Sequence, residues 1–265
     1  MTGAADGVSA QRRRWIHRRD LLRELVVRDL KLRYERSLLG VLWSVLSPLA
    51  QLVVFVLVFQ HVLRLEIPDY PLFVFIGVVT WSWTREGLMR CATAITSNRD
   101  LVRQPGFPLY LLPIVSLATP LFDLIVALPL VAILLVASGG TLTLAALLLP
   151  VVLALHFLLL QGVGYVLAAT HVTYRDTGHL LGVALMLGFY LTPVFYDIGS
   201  LPAWIRPVYA VNPIAHLIAA YRDILMHGRP PELTALATLA AAGAAVSWLG
   251  YAVFKRASDR FVEEI

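Results

Sequence analysis

The sequence predicts an all-α polytopic membrane protein with six transmembrane helices, and three observations support this class. Mean hydropathy is +0.74, and 58% of the residues are hydrophobic. Charged residues make up only 15%, whereas roughly 25% is typical of soluble domains. Several apolar runs also reach the ~20 residues that a helix needs to cross a hydrocarbon core of ~30 Å. Five to seven such spans use the whole chain and leave no room for a soluble catalytic domain.

The basic residues are concentrated near the N-terminus. Ten of the 22 Lys and Arg residues precede Ser37, as is typical of a cytoplasmic cluster next to a first membrane span. The net charge of +5 is therefore explained without a nucleic-acid partner. The single Cys91 excludes an intramolecular disulfide and a cysteine-rich metal site, and no metal site is predicted.

Two N-terminal segments precede the first span. Residues 1–14 are predicted to be disordered, and residues 15–36 to form an amphipathic helix in the cytoplasmic interface of the membrane. Its polar stripe consists of Glu24, Arg28, Lys31 and Glu35. Asp29 and Arg33 interrupt the separation of its faces. The alternative is a basic anchor that only sets the orientation of the first span.

Residues 37–254 are predicted to form a single transmembrane domain, followed by a charged cytoplasmic tail at 255–265. The predicted spans are residues 38–60, 71–96, 109–136, 142–170, 180–196 and 233–254. With both termini cytoplasmic, eighteen of the 22 basic residues lie on the inner side. This asymmetry satisfies the positive-inside rule.

The second span is unusual because it continues through Arg85, Glu86 and Arg90 with no turn signal until Asn98. At 1.5 Å per residue, Arg85 lies about 21 Å from Pro71 and is still inside a core of ~30 Å. Charged residues at such depth indicate a functional cavity. The alternative is a helix that leaves the membrane early and lets these side chains reach the interface.

Three polar residues are predicted within later spans. Asp123 is either a structural hydrogen-bonding group or part of a permeation path. His156 and Gln161 favour hydrogen bonds between helices over a proton relay or a metal site. Gly178 and Gly182 form a GxxxG pattern, which is a weak indication of close helix packing.

Residues 197–231 are neither loop-like nor long enough to cross the membrane twice. They contain five prolines and two short apolar pieces. Short apolar segments interrupted by proline are typical of re-entrant or interfacial helices, which we expect at the outer face before the last span.

A polar loop at residues 97–108 separates long apolar runs and holds Arg99, Asp100 and Arg103. Such a loop must lie outside the bilayer, and the distribution of basic residues places it on the cytoplasmic side. We predict that a soluble protein binds it. The sequence has no GxxxxGK[ST] motif with which to hold ATP itself, and it has no HExxH or GxSxG motif.

Motifs in a fixed order cover most of the chain from Arg28 to Arg222. They are Arg28–Tyr34 with Ser37–Trp43 and Ser47–Leu49, Ser97–Arg103 with Phe107–Pro108, Tyr174–Asp176, and Thr192–Tyr196 with Asn212–Ile214 and Ala220–Arg222. The ordered set resembles the permease subunit of type-2 ABC exporters. The resemblance is to the branch that exports lipid-linked polysaccharide, such as O-antigen, teichoic acid, capsule or cell-wall galactan.

The resemblance implies a bacterial inner-membrane protein that is not an enzyme and binds no cofactor. It implies a homodimer with two copies of a separate ATP-binding subunit, which would hold ATP and Mg²⁺. Membrane lipids and an undecaprenyl-type lipid-linked glycan would be the other partners. The 97–108 loop would be the coupling helix that contacts the ATPase. The predicted contact residues are Asn98, Arg99, Asp100, Leu101, Val102 and Arg103, with Arg28, Asp29 and Arg33 of the interfacial helix.

A sugar polymer requires aromatic rings that stack on the C–H faces of sugars. The predicted aromatic residues of the substrate path are Trp43, Trp81, Trp83, Phe195 and Tyr196. Arg85 and Arg90 are candidates to contact the diphosphate of a lipid carrier. Two alternatives stay open: a type-2 ABC permease for a drug or lipid, and a membrane-embedded enzyme acting on lipid-linked sugars. The enzyme would need no ATPase partner.

Overall fold

The computed structural model describes residues 3–35 and 39–264, with side chains described for 18–35, 39–199 and 201–264. Every regular element in these ranges is a helix, so the predicted all-helical class is confirmed. The chain divides into two compact units, Met1–Val41 and Leu42–Ile265.

The first unit consists mainly of helix α1 (Gly3–Tyr34). The sequence predicts disorder for residues 1–14, but α1 already begins at Gly3. This early segment has no proline and contains three alanines, the residue with the highest helix propensity. The predicted polar stripe is exposed, whereas Asp29 and Arg33 are half-buried. Residues 36–38, where the predicted helix ends and the first span begins, lie outside the described residues.

The second unit contains ten further α-helices in the described residues. They are α2 (Trp43–Phe55), α3 (Tyr70–Thr93), α4 (Arg99–Val102), α5 (Leu111–Ala137), α6 (Leu149–Thr173), α7 (Thr177–Tyr190), α8 (Arg206–Val211), α9 (Pro213–Leu225), α10 (Leu233–Ser258) and α11 (Phe261–Glu264). A π-helical segment, Val56–Val62, continues α2, and a 3-10 turn, Leu144–Leu148, precedes α6.

Four helical segments in the described part of the chain are long and apolar enough to cross a membrane. They are Gly40–Val62, Leu111–Ala137, Leu144–Thr173 and Leu233–Ser258. The other two predicted spans correspond to α3 and α7. α3 has 24 residues but includes Arg85, Glu86 and Arg90, and α7 is an apolar helix of only 14 residues.

Several helix ends differ from the predicted span limits. α3 ends at Thr93 instead of residue 96, and α10 continues to Ser258 instead of ending at 254. α7 ends at Tyr190, well before the predicted limit at residue 196. Thr192 precedes Pro193, and a residue before proline is disfavoured in the helical conformation.

α3 is the central helix of the second unit and packs against α2, α5, α6, α7 and α9. It is buried on nearly every face from Tyr70 to Ala92. Its sequence is apolar all round over its first three turns, as expected of a helix enclosed by others.

α6 and α10 approach each other through glycines. A Cβ atom at Gly250 would overlap the carbonyl oxygen of Gly162, and one at Gly162 would overlap the backbone of Val246. The predicted GxxxG contact is wrong within this chain, because a Cβ at Gly182 would meet nothing within 4 Å.

The segment between α7 and α10 folds into short helices, in agreement with its prolines. Asn212 caps α9, since its Oδ1 accepts hydrogen bonds from the N–H groups of Ile214 (3.0 Å) and Ala215 (3.3 Å). The Nδ2 of Asn212 donates to Thr192 Oγ1 (3.0 Å), which joins α9 to the chain after α7.

Most of residues 255–264 are exposed, but two side chains attach this segment to the rest of the second unit. Phe261 is 1% exposed, and its ring centroid lies 5.3 Å from that of Phe254. Glu264 Oε2 accepts a hydrogen bond from Thr173 Oγ1 (2.8 Å) at the end of α6. The predicted charged tail at 255–265 therefore contributes one buried anchor.

Candidate functional site

A cavity of about 670 Å³ lies between α2, α3 and α7, and we call it the α3 groove. Its lining residues are Ala50, Gln51, Val54, Phe55, Trp81, Ser82, Arg85, Gly182, Leu185, Met186, Phe189 and Tyr190. The lining is mostly apolar and aromatic, with a few polar groups. This composition is typical of sites that bind an amphipathic ligand.

Arg85 is the cation of the α3 groove. It is exposed, and it shares one face of α3 with Trp81 and Ser82, as the i,i+3 and i,i+4 spacing requires. Arg90 lies about 140° further around the helix and is half-buried outside the lining of the groove. The two arginines predicted for the substrate path are therefore on different faces.

Only one of the three predicted tryptophans lines the α3 groove. The ring centroid of Trp81 lies 6.0 Å from that of Phe189. Trp83, about 200° away around α3, is 1% exposed and donates its Nε1–H to the carbonyl oxygen of Leu117 (3.2 Å). Trp83 belongs to the core, and Trp43 is half exposed at the start of α2, outside the groove lining.

Phe195 is not part of the lining of the α3 groove, but it belongs to a cluster of aromatic rings that includes the lining residues Phe55 and Phe189. Its ring centroid is 5.3 Å from that of Phe55, 4.9 Å from that of Phe59 and 5.7 Å from that of Phe189. The sequence reasoning missed these three partners. The sequence does contain a signal for two of them, because Phe55 and Phe59 are four residues apart and therefore share a helix face.

Tyr196 ties the same turn to two neighbours. Its hydroxyl donates to the carbonyl oxygen of Tyr190 (2.9 Å) and shares a hydrogen bond with the hydroxyl of Tyr209 (2.9 Å). Tyr190 lines the α3 groove. Tyr196 is therefore connected to the groove by its hydrogen bond to Tyr190 and is not itself part of the lining.

His156 joins three helices inside the core. Its Nε2 is 3.0 Å from Thr84 Oγ1 in α3, and its Nδ1 is 3.4 Å from Tyr221 Oη in α9. Thr84 already donates to the carbonyl of Thr80 (3.1 Å). The network therefore favours the tautomer with the proton on Nε2, and His156 makes the helix-to-helix contacts that were predicted.

Asp123 and Gln161 each make a side-chain hydrogen bond. Asp123 Oδ1 accepts a hydrogen bond from Ser44 Oγ (2.6 Å), which connects α5 to α2. Gln161 Nε2 donates to Tyr165 Oη (3.1 Å) within the same helix, and that hydroxyl donates to the carbonyl of Tyr110 (3.3 Å). Gln161 thus reaches a second segment only through Tyr165.

The predicted coupling loop contains the short helix α4 and has two distinct faces. Arg99, Asp100 and Arg103 are exposed, whereas Val102 is 3% exposed and Leu101 is half-buried. The apolar face packs into a buried cluster formed by Ala94, Ile95, Val102, Leu112, Tyr165, Ala168, Ala169, Val172, Phe254 and Phe261. This packing fixes the orientation of the charged face.

Asn98 immediately precedes α4 and forms a hydrogen bond with the chain before it. Its Nδ2 donates to the carbonyl oxygen of Ala94 (2.9 Å). In the first unit, Arg28 is exposed on α1 and Asp29 and Arg33 are half-buried. Within the described residues, no group of three or more His, Cys, Asp or Glu side chains is arranged to hold a metal ion.

The burial of Arg222 was not predicted. The sequence counts it among the basic residues of the outer segments, and the structure shows that it is 7% exposed and that its guanidinium lies against the ring of Phe73. Its hydrogen-bond partners are backbone carbonyl groups, which leave no pattern in the side-chain sequence.

The fold and these sites define a helical membrane protein with an apolar-lined groove and a separate, exposed charged surface. The family described as "ABC-2 type transporter" matches residues 20–226. Because this match spans well over half of the 265 residues, the chain belongs to the ABC-2 type transporter family.

Individual relatives match almost end to end. The chain is 35% identical to the O-antigen export system permease protein RfbA of Myxococcus xanthus, over 93% of this chain and 96% of that protein. It is 26% identical to the protein of the same name from Klebsiella pneumoniae, over 92% and 94%. It is 23% identical to the polysialic acid transport protein KpsM of Escherichia coli, over 87% and 91%.

Proposed function

We propose that this chain is the channel-forming permease subunit of an ATP-driven exporter that moves a lipid-linked polysaccharide across a bacterial inner membrane. The observation that carries the proposal is the 35% identity, over 93% of the chain, to a permease named for O-antigen export. The similarity to a protein named for polysialic acid transport supports the same class of cargo.

The proposed topology has six membrane crossings with both termini in the cytoplasm. α3, at 24 residues, is about 36 Å long and is sufficient to cross a ~30 Å core. α7, at 14 residues, is about 21 Å long and crosses with the help of the turn that follows it. α8 and α9 are re-entrant at the outer face.

ATP hydrolysis on a separate subunit drives the proposed export through α4. The exposed charges Arg99, Asp100 and Arg103 form the docking face, since complementary charge orients a partly wet interface. Leu101 and Val102 transmit movement of that face to the buried cluster below. Arg28, Asp29 and Arg33 of α1 add contacts to the ATPase. The assembly contains two copies of this chain and two ATPase subunits, which hold ATP and Mg²⁺.

The α3 groove is the proposed place where the cargo meets the chain. Arg85 contacts the diphosphate of an undecaprenyl-type carrier, and Trp81 contacts sugar or lipid. Arg85→Ala is expected to lower export and substrate-stimulated ATPase activity, whereas Arg85→Lys, which keeps the charge, retains most of both. Equal export by wild type and Arg85→Ala would contradict this role.

Co-purification tests the proposed assembly and separates a permease from a membrane-embedded enzyme. We expect the tagged chain, extracted from its own cells in mild detergent, to retain an equimolar soluble subunit that contains GxxxxGK[ST]. A chain that purifies without any such subunit, and still acts on lipid-linked sugars, would overturn the proposal.

A further inference from the structure

Arg222 is a buried cation at the outer part of the proposed transmembrane domain. Charged side chains in such a position are costly and are kept where they have partners and a function. The Nε and Nη2 atoms of Arg222 donate to the carbonyl oxygen of Phe73 (3.3 and 3.2 Å). Nη1 donates to the carbonyl of Pro193 (2.9 Å), and Nη2 donates also to that of Val194 (2.8 Å).

These three carbonyl groups lie on two different elements. Phe73 is in the first turn of α3, whereas Pro193 and Val194 belong to the turn that follows the C-terminus of α7. Carbonyl groups after a helix end lack intrahelical partners. Arg222, which lies on α9, donates hydrogen bonds to them. Its planar guanidinium holds several N–H donors in a fixed geometry, which a lysine lacks.

The backbone around Arg222 is shaped for this contact. A Cβ atom at Gly77 would lie 2.6 Å from the carbonyl oxygen of Val194 and 3.1 Å from Nη2 of Arg222. Only glycine at this position allows α3 to approach the turn so closely. The guanidinium also lies 3.4 Å from the ring centroid of Phe73, which is a cation–π contact.

The turn that Arg222 holds carries Phe195. The carbonyl oxygen of Phe195 accepts a hydrogen bond from the hydroxyl of Tyr70 (3.0 Å). The Phe195 ring then packs on Phe55 and on Phe59, which lies in the π-helical segment Val56–Val62. Segments of π-helix are rare and occur frequently at functional sites.

We infer that Arg222 is a positioning residue for export: it holds the turn after α7 so that Phe195 packs on the π-helical end of the first span and against Phe55 and Phe189, which line the α3 groove. α3, the turn and α9 are thereby linked into one body. This inference rests on the proposed function, because export is the activity that the position of Phe195 affects.

A disulfide measurement tests the positioning without any cargo. Phe59→Cys and Phe195→Cys are introduced together, and cross-linking is induced by oxidation in purified protein; the native Cys91 is buried and does not interfere. We expect Arg222→Met to lower the cross-linked fraction about tenfold, with an intermediate fraction for Arg222→Lys. An unchanged fraction in both variants would overturn the inference, whatever the cargo is.

Export in cells is the second readout. With the natural residues at 59 and 195, Arg222→Met and Phe195→Ala are each expected to lower surface polysaccharide about tenfold at equal membrane levels. The double variant should be no worse than the lower single variant, because Arg222 acts through Phe195. Losses that multiply, or wild-type export by Arg222→Met, would contradict the inference.

A matched control is available in the same region. Arg206 is exposed and also donates to backbone carbonyl groups, those of Leu201 (3.0 Å) and Gly199 (2.9 Å). Arg206→Met should leave both readouts unchanged.

If Arg222→Met does not accumulate in the membrane, Arg222→Lys provides the same comparison. Deleting the whole chain separates the proposed export function from the positioning role of Arg222. Unchanged surface polymer after deletion would refute the export function, whereas the cross-linking result tests the positioning role independently of export.

Discussion

At the scale of single residues, Gly162 and Gly250 determine how closely α6 and α10 pack. Both lie where a Cβ atom would overlap the backbone of the facing helix. Small residues of this kind allow direct backbone contact between membrane helices, where van der Waals packing is a main source of association. The contact involves glycines on separate spans, far apart in the sequence.

Gly250→Ala is expected to destabilise the protein by about 1–3 kcal/mol, because the added methyl group forces the helices apart. Thermal unfolding of the detergent-solubilised protein measures the effect. Gly182→Ala is the matched control: it lies in helix α7 with open space around it. We expect it to be neutral or stabilising by about 0.5–1 kcal/mol. A Gly250→Ala protein as stable as wild type would contradict the packing described for α6 and α10.

The residues of the α3 groove were only partly predictable. The sequence identified Trp81 and Arg85, but it assigned Trp83 to the same surface. α3 carries no charge before Arg85 and has apolar residues on every face, so its sequence contains no clear amphipathic signal that would orient Trp81 and Trp83. Arg222 was unpredictable for another reason, because a guanidinium bonded to backbone carbonyl groups has no side-chain partner in the sequence.

At the scale of elements, α4 combines an exposed charged face with a buried apolar anchor. Asp100→Arg should lower the amount of co-purified ATPase about tenfold. The positive group of the ATPase that faces Asp100 would then face a like charge, which costs several kcal/mol at an interface. The chain itself should stay folded, since Asp100 is exposed. Glu66→Arg, an exposed charge reversal in the loop before α3, is the control and should have no effect. ATPase recovery by Asp100→Arg equal to that of wild type would contradict the docking role of α4.

The existence of most helices could be read from apolar runs, but several ends could not. α7 stops before Pro193 although the apolar sequence continues to Tyr196. The last residues contain Asp259, Arg260 and Glu263 and resemble a solvated tail, yet Phe261 is buried beside Phe254. A single apolar side chain among charges is a weak sequence signal, and only the tertiary contact determines its position.

At the scale of the whole molecule, the proposed topology places two segments on opposite sides of the membrane. One is the loop that precedes α3, and the other is the helix α4. Glu66→Cys should react with a membrane-impermeant maleimide in intact spheroplasts. Gln104→Cys should react only after the membrane is opened, and Cys91 gives no background because it is buried. Labelling of Gln104→Cys from outside would contradict a cytoplasmic coupling loop.

We propose that this chain exports a lipid-linked polysaccharide, and deletion of the chain is the most direct test of that function. Cell-surface polysaccharide and lipid-linked polymer on the cytoplasmic side are measured in the same cells, with and without the wild-type chain restored. We expect that deletion abolishes surface polymer, that lipid-linked polymer accumulates inside, and that the wild-type chain reverses both effects. Unchanged surface polysaccharide with no internal accumulation would contradict it.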